Sequence, residues 1–391
     1  LLFTIMRRKM ARLTKGLQAL TLMQMRMIMN TLSKNKVVLG LSGGVDSTTA
    51  ALLLKEKGLE VIGFYFDVLG TNLKGAEAAA QLAKKLDIDF VKMDVSEEFD
   101  QTVINNFCGE YLQGRTPNPC VICNPSIKFK KLLQVAEEKG AYYIATGHYA
   151  RIFHDEERDL YFIRRGANQK KDQSYMLYRL GQNVLSRLIL PLGEFDDKEK
   201  TRNIARSHNL PNAETADSQE ICFIDEQKEN YVSYIENRGL TAEKGNFVDS
   251  QGAFLGEHQG LVHYTIGQRK GLGITLGKPA FVTSIDPETN QVTLGDNADL
   301  FKREVISSEN FFAANSLPDL PEGFGDELRV LAKIRYAATP APARVSQRPD
   351  GKILTVFDEP QRAATPGQSI VFYKEDYVFG GGFIESTSVS E

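Results

Sequence analysis

From Lys36 onward the apolar positions fall into short, separated runs, and their spacing changes character part-way along the chain. Val37-Val38-Leu39-Gly40-Leu41 is an unbroken apolar run, the pattern of a strand buried on both faces of a parallel sheet. A tight Ser/Gly turn follows, and 48–57 reads as a helix closed by Gly58. The next segments read as a strand (60–65), an Ala-rich helix (76–86) and a strand (90–95). Segment 103–112 looks helical, 127–138 reads as a helix and 142–146 as a strand. Strands alternating with helices predict an α/β domain with a doubly wound, mostly parallel sheet.

The alternation stops after Cys222. Segment 230–279 is glycine-rich and mixed, and from Ala280 short β runs dominate: 281–285, 291–294, 328–334, 352–357 and 369–373. Turn residues such as Asp286-Pro287 and Pro349-Asp350-Gly351 separate them, which predicts a small antiparallel barrel or sandwich, with the β-barrel preferred. The expected organisation is therefore a basic leader (1–35), an α/β domain (36–226), a small central domain (227–279) and a C-terminal barrel domain (280–391). The leader carries Arg7, Arg8, Lys9, Arg12, Lys15, Arg26 and Lys34 and no acid. It reads as a loosely ordered basic start, or as sequence ahead of a start at Met29, with an organelle transit peptide as the alternative.

Composition narrows the class. With 391 residues, 42% hydrophobic and 25% charged, the chain can bury a large core without disulfide staples. A formal net charge of -3 gives no global attraction to polyanions, so any nucleic-acid surface must be local. The four cysteines, Cys108, Cys120, Cys123 and Cys222, are too few for a secreted scaffold. They point to a reducing, cytoplasmic setting with reactive or metal-bound thiols. No apolar run approaches the ~20 residues that cross a bilayer, so no membrane association is expected.

Two motifs carry the chemistry. Ser42-Gly43-Gly44-Val45-Asp46-Ser47 lies between a predicted strand and helix, where glycines let backbone N–H groups and the helix N-terminus face an anion. The Walker spacing and its lysine are missing, which suits a pyrophosphate that leaves. Asp46 is read either as the contact for Mg²⁺ or as the helix N-cap. SGGVDS resembles the signature of the PP-loop ATP pyrophosphatases. That resemblance implies ATP cleavage between the α and β phosphates and adenylation of a substrate oxygen.

The second motif is Arg115-Thr116-Pro117-Asn118-Pro119-Cys120-Val121-Ile122-Cys123-Asn124, in which two prolines stiffen a loop ahead of a C-x-x-C pair. A third thiol, Cys222, lies far downstream in Asp217-Ser218-Gln219-Glu220-Ile221-Cys222-Phe223-Ile224. A C-x-x-C pair can chelate metal, form a disulfide or lower a thiol pKa, and three thiols can hold an iron–sulfur cluster with one open iron. Cys108, in the helical-looking segment, reads as core.

These blocks, with Ile127-Lys128-Phe129, ATGHYAR (145–151), KDQSYMLY (171–178), YTIGQRKGLG (264–273) and Gly367-Gln368, resemble the tRNA-specific 2-thiouridylases in order from about 36 to 384. The resemblance implies ATP-dependent 2-thiolation of the wobble uridine of tRNA, with a sulfur-donor protein upstream. It implies that Cys222 carries persulfide sulfur and that Cys123 is its partner. Gly40, Leu41, Ser42, Gly43, Gly44, Val45, Asp46, Ser47, Phe66 and Gly147 match nucleotide-binding positions. Asn118, Pro119 and Cys120 match the stretch beside the target base. His148, Lys171, Asp172, Gln173, Arg335, Tyr336 and Gln368 match tRNA-touching positions. Many members have Asp where this chain has Cys120. That departure makes a [4Fe-4S] cluster on Cys120, Cys123 and Cys222 an alternative to the disulfide route.

Blander readings stand beside these. Lys171-Asp172-Gln173-Ser174 also fits a plain polar loop, and His148 a packed histidine at a strand end. The rival functions are an amino-group ligase of the PP-loop type and a non-catalytic RNA- or metal-binding protein.

Overall fold

The computed structural model describes residues 31–70, 73–214, 221–225, 227–314 and 327–387. Most of the expected leader, and Asp217, Ser218, Gln219 and Glu220 of the Cys222 motif, lie outside the described residues. The chain opens with β1 (Ser33–Gly40), α1 (Val45–Glu56), β2 (Glu60–Asp67), α2 (Leu73–Lys85) and β3 (Asp89–Asp94). It continues through α3 (Asn105–Leu112), α4 (Pro119–Cys123) and α5 (Phe129–Glu138) to β4 (Ala141–Ala145). A hairpin of β5 (Ala150–Asp155) and β6 (Leu160–Arg165), the short β7 (Leu188–Ile189) and α6 (Lys198–Ser207) follow.

β1, β2, β3, β4 and β7 form a parallel sheet in the order β3-β2-β1-β4-β7, the expected doubly wound arrangement. Val37, Val38 and Leu39 are fully buried, because helices cover both faces. Val38 packs with Phe129, Leu132 and Val135 of α5, and Val37 and Leu39 with Ala50, Ala51 and Leu54 of α1 and Ala205 of α6. Each of these Val, Leu and Phe side chains stabilises the fold by roughly 1.5–3 kcal/mol relative to exposure. The strand order reverses between β1 and β4. In open α/β sheets the crevice beyond the carboxyl ends of strands at such a point holds the ligand.

The central segment contains α7 (Tyr231–Asn237), β8 (Gly245–Val248), β9 (Phe254–His258), β10 (Phe281–Asp286) and β11 (Gln291–Gly295), with sheet order β10-β11-β8-β9. This differs from the boundary expected at 280. β11 runs parallel to β8 with Val292 opposite Phe247, and Phe247, Leu261, Val282, Val292 and Leu294 share one core. The alternating pattern of 281–295 marks strands but does not say which sheet they join.

Strands β12 (Phe301–Phe312), β13 (Leu328–Lys333), β14 (Ala341–Gln347), β15 (Ile353–Arg362), β16 (Ser369–Lys374) and β17 (Tyr377–Ser386) form an antiparallel barrel in the order β12-β15-β14-β13-β16-β17, closed by β12 against β17. The β5–β6 hairpin of the first segment is fastened to it, with Arg164 opposite Tyr377 and the Arg165 N–H donating to the Asp376 carbonyl. Gly380, Gly381 and Gly382 sit inside β17 because neighbours press on the backbone. A Cβ at Gly381 would lie 2.5 Å from the Ile370 carbonyl oxygen and 3.0 Å from the Tyr178 ring. Gly381→Val is expected to lower stability by about 2–3 kcal/mol through overpacking, read as a shifted urea midpoint at unchanged slope.

Candidate active site

At the end of β1 the chain turns through Ser42, Gly43 (φ +84°) and Gly44 into α1. Leu41 is buried and its N–H donates to the Phe64 carbonyl at 2.8 Å. Hydroxyls pull the loop closed. Ser47 Oγ receives the Ser42 N–H at 3.2 Å and donates to the Gly44 carbonyl at 3.1 Å, and Thr48 Oγ1 donates to the same carbonyl at 2.8 Å. Val45 and Ser47 are buried in the first turn of α1.

Gly147 follows β4 on the far side of the switch point. A Cβ there would stand 2.9 Å from both the Asp46 carbonyl carbon and the Ser47 nitrogen, so only glycine lets the two segments touch. Phe66 closes the same corner. A Cβ on Gly40 would find its ring at 3.8 Å and the Thr146 methyl at 3.7 Å. The corner is thus built from the carboxyl ends of β1, β2 and β4.

Asp46 is not the expected N-cap: Gly44 holds that position and makes no side-chain cap. The Asp46 carboxylate turns to α6 instead. Both of its oxygens accept from Lys198 Nζ, at 2.6 and 2.7 Å, and Oδ1 also accepts from the Tyr149 hydroxyl at 2.8 Å. The carboxylate expected to contact Mg²⁺ is thus paired here with an ammonium group.

The cysteine motif forms α4. Asn118 caps it, its side chain accepting from the Cys120 N–H at 3.1 Å, and Pro119 opens it. A π-turn, Asn124–Lys128, joins α4 to α5. Cys120 is exposed, whereas Cys123 is half-buried beside Ile122 against a cluster containing Phe107, Ile127, Phe223 and Ile224. Phe223 meets Phe99 and Phe107 edge-on at 5.7 and 5.3 Å. Those flanking contacts bring the distant Cys222 segment to Cys123. Phe66 also packs on this cluster, and its ring stands beside Gly40 at the entry to the phosphate loop, so one side chain lies between the loop and the core that holds Cys123.

Burial pushes the Cys123 thiol up. Cys222 keeps exposed surface, yet the protein around its sulfur pushes the thiol up to about 12, with the Cys123 and Cys120 sulfurs adding to the effect. All four cysteines are free thiols, and Cys108 is buried. Among the described residues no group of three His, Cys, Asp or Glu side chains is gathered to hold a metal ion. The expected cluster set of Cys120, Cys123 and Cys222 therefore does not fit as folded: Cys123 is packed against the apolar cluster while Cys120 faces outward.

Of the expected RNA-facing residues, Gln368, Tyr336 and Asp172 lie where the barrel approaches the first domain. Gln368 Nε2 donates to the Thr116 carbonyl at 2.8 Å and faces the Pro117 carbonyl at 3.4 Å, so the barrel grips the segment leading to Cys120. Tyr336 is half-buried and lies near enough to Asp172 and Cys120 for both to raise its phenol, after burial. Arg335 donates to the Arg362 carbonyl at 3.2 Å. Asp172 is buried and spends its carboxylate on the N–H groups of Gly166 and Ser174 and the Ser174 hydroxyl. Gln173 Oε1 accepts from the Tyr149 N–H, and the Lys171 N–H donates to Asn168. His148 lies on the Phe129 ring with Nδ1 2.7 Å from the Thr146 hydroxyl. Burial, helped by Lys128, holds its imidazole well below the usual range, which keeps it neutral.

Three family models cover the chain: tRNA methyl transferase HUP domain over 35–226, tRNA methyl transferase PRC-barrel domain over 233–296, and aminomethyltransferase beta-barrel domain over 309–384. A tRNA-specific 2-thiouridylase MnmA of Clostridium perfringens (strain 13 / Type A) is 46% identical over 370 residues, covering 91% of this chain and 99% of that one. Its counterpart in Clostridioides difficile (strain 630) is 44% identical over 365 residues, covering 90% and 98%. The chain belongs to the tRNA-specific 2-thiouridylase family. Among solved structures, an NMN synthetase from Francisella tularensis aligns over 56% of this chain and 86% of that one at 15% identity, but its TM-score of 0.31 is too low to bear on fold or chemistry.

Four residues at the site have contacts for which the motif reading assigned no role. Lys198 and Tyr149 hold Asp46. Asn212 donates to the Gly43 carbonyl and the Thr48 hydroxyl, both at 2.8 Å. Lys333, 7% exposed, points its ammonium at the rings of Tyr175 and Tyr336, 5.7 and 5.5 Å from their centroids. Lys198 sits in the charged run Lys198-Glu199-Lys200, which reads as a solvated helix face, so no local signal marks it.

Proposed function

We propose that the protein is an ATP-dependent tRNA-uridine 2-sulfurtransferase acting on the wobble uridine. The observation that carries this reading is a phosphate loop at the sheet's switch point sharing a wall, Phe66, with the Cys123–Cys222 cluster. An anion site and a sulfur site in one crevice suit a reaction that activates an oxygen and then replaces it.

The C2 oxygen of uracil is a poor leaving group, and AMP attached to it is a good one. The loop N–H groups and the α1 N-terminus receive the negative charge of the departing pyrophosphate. The terminal sulfur of a Cys222 persulfide attacks C2, and AMP leaves with the original oxygen. Cys123 attacks the Cys222 sulfur, breaks its bond to the transferred sulfur, and leaves a Cys123–Cys222 disulfide with 2-thiouridine. Each round then needs a reductant and a fresh sulfur from a donor protein. A single-stranded anticodon loop with its base turned out into the crevice meets the access this chemistry requires.

The test is reconstitution with tRNA transcript, ATP, Mg²⁺ and a persulfide donor, read by nucleoside mass spectrometry. The expected product is 2-thiouridine at the wobble position with equimolar AMP. Pyrophosphate release without any thiolated nucleoside would overturn the assignment.

A further inference from the structure

The phosphate loop carries no cation of its own, and the fold brings one from far along the chain. Asp197 caps α6, its carboxylate accepting from the Glu199 N–H at 3.0 Å, which makes Lys198 the first helical residue. The Lys198 side chain is only 13% exposed. Its ammonium bonds both oxygens of Asp46 and lies 5.3 Å from the centre of the Tyr149 ring. The Tyr149 hydroxyl joins Asp46 to Thr201, on the next turn of α6, at 2.8 Å on each side. Thr49 of α1 donates to the Thr201 carbonyl at 3.2 Å, and Asn212 grips Gly43 and Thr48 from beyond α6. Segment 198–212 thus touches the loop and first turn of α1 from Gly43 to Thr49.

This placement is electrostatically unfavourable for a lysine alone. The ammonium stands at the N-terminal ends of α1 and α6, where helix dipoles favour anions and oppose cations. Asp46 offsets one charge. A polyphosphate at the same loop would offset far more. A packing role alone would be served by an apolar side chain at that position, without the cost of holding a cation there.

We propose that Lys198 is the phosphate-facing cation of the site, held ready by Asp46 and meeting the β and γ phosphates of the nucleotide and then the leaving pyrophosphate. The proposal rests on the ATP reading above. It assigns to α6 the role that a lysine inside the loop fills in Walker-type sites.

The test measures equilibrium binding of ATP, inorganic pyrophosphate and AMP to the full-length protein in chelator, without divalent ions. Lys198→Met is expected to weaken ATP and pyrophosphate binding by about tenfold to a hundredfold, the range for a lost charge-assisted hydrogen bond. AMP, which lacks both distal phosphates, is expected to bind within about twofold of the unaltered protein, which also reports that the site is folded. Lys198→Arg keeps the charge and is expected to recover most of the pyrophosphate affinity. Equal losses for AMP and ATP would show that Lys198 only shapes the loop and would overturn the proposal, as would unchanged pyrophosphate affinity in Lys198→Met. If Lys198→Met does not fold, full loss of pyrophosphate affinity in a folded, AMP-binding Lys198→Arg overturns it. Failure of the unaltered protein to bind ATP overturns the ATP reading itself, a result distinct from either.

Discussion

Cys222→Ser is expected to lower thiolation by about a thousandfold or more while ATP-dependent pyrophosphate release continues. A serine hydroxyl keeps the size of the thiol but cannot hold a sulfane sulfur. The phosphate loop does not touch this position, so activation of the uridine is left intact. Cys123→Ser is expected to differ. Sulfur still reaches Cys222 and C2, but the persulfide bond lacks its resolving thiol, and a tRNA adduct accumulates on Cys222 that dithiothreitol releases. The order of these events is readable by intact-protein mass spectrometry. A pH experiment adds a check. The Cys222 thiol is pushed up to about 12, mainly by burial, so its reactive thiolate is scarce at neutral pH. Alkylation of Cys222 by iodoacetamide is therefore expected to quicken about tenfold per pH unit from pH 8 toward 11, without the plateau of an ordinary thiol near pH 9. A pH-independent rate would show a thiolate already formed at neutral pH, ready to take sulfane sulfur from the donor.

The second large effect is expected at Gly147, which has no side chain and no charge. Gly147→Ala places a methyl group 2.9 Å from backbone atoms of Asp46 and Ser47, and backbone cannot turn aside as a flexible side chain does. The loop must move by several tenths of an ångström, carrying with it the N–H groups that face the phosphates. Misplacement on this scale is expected to cost about a hundredfold in kcat/KM for ATP. The global unfolding midpoint should change far less, because the strain stays in an exposed crevice. Gly109→Ala in α3 is the control: nothing lies within 4 Å of the added methyl, and ATP kinetics should not change. Equal activity in the two variants would mean that the loop and the β4 end do not need their close contact.

The parallel sheet was legible because 37–41 is uninterruptedly apolar, and that occurs only where helices cover both faces. The hydroxyl-rich turn after it was legible for the same reason of local necessity. Other elements were hidden by long-range causes. β17 contains three consecutive glycines, a local signature of a loop, and is a strand only because Phe312, Ile370 and Tyr178 close on it from both sides. β12 runs through Lys302-Arg303-Glu304, whose charges mask its alternation. The assignment of β10 and β11 to the central sheet depends on a parallel pairing with β8 that no pattern within 281–295 records. At the site, the SGGVDS and C-x-x-C motifs lay in continuous sequence and could be read. The Asp46–Lys198 pair spans 152 positions and could not. Asp46 was given two roles from its position in the loop, and the fold assigns its carboxylate to a residue on another helix.

The β5–β6 hairpin has a bearing on how the protein is made. Its second strand, β6, pairs with β17, which is synthesised far later in the chain, and Gln368, which grips the approach to Cys120, emerges only shortly before β17. During synthesis the first segment must wait with an open strand edge, which is a site for mispairing with other chains. A chain cut short before the barrel closes also lacks Gln368, and with it the grip on the segment that leads to Cys120.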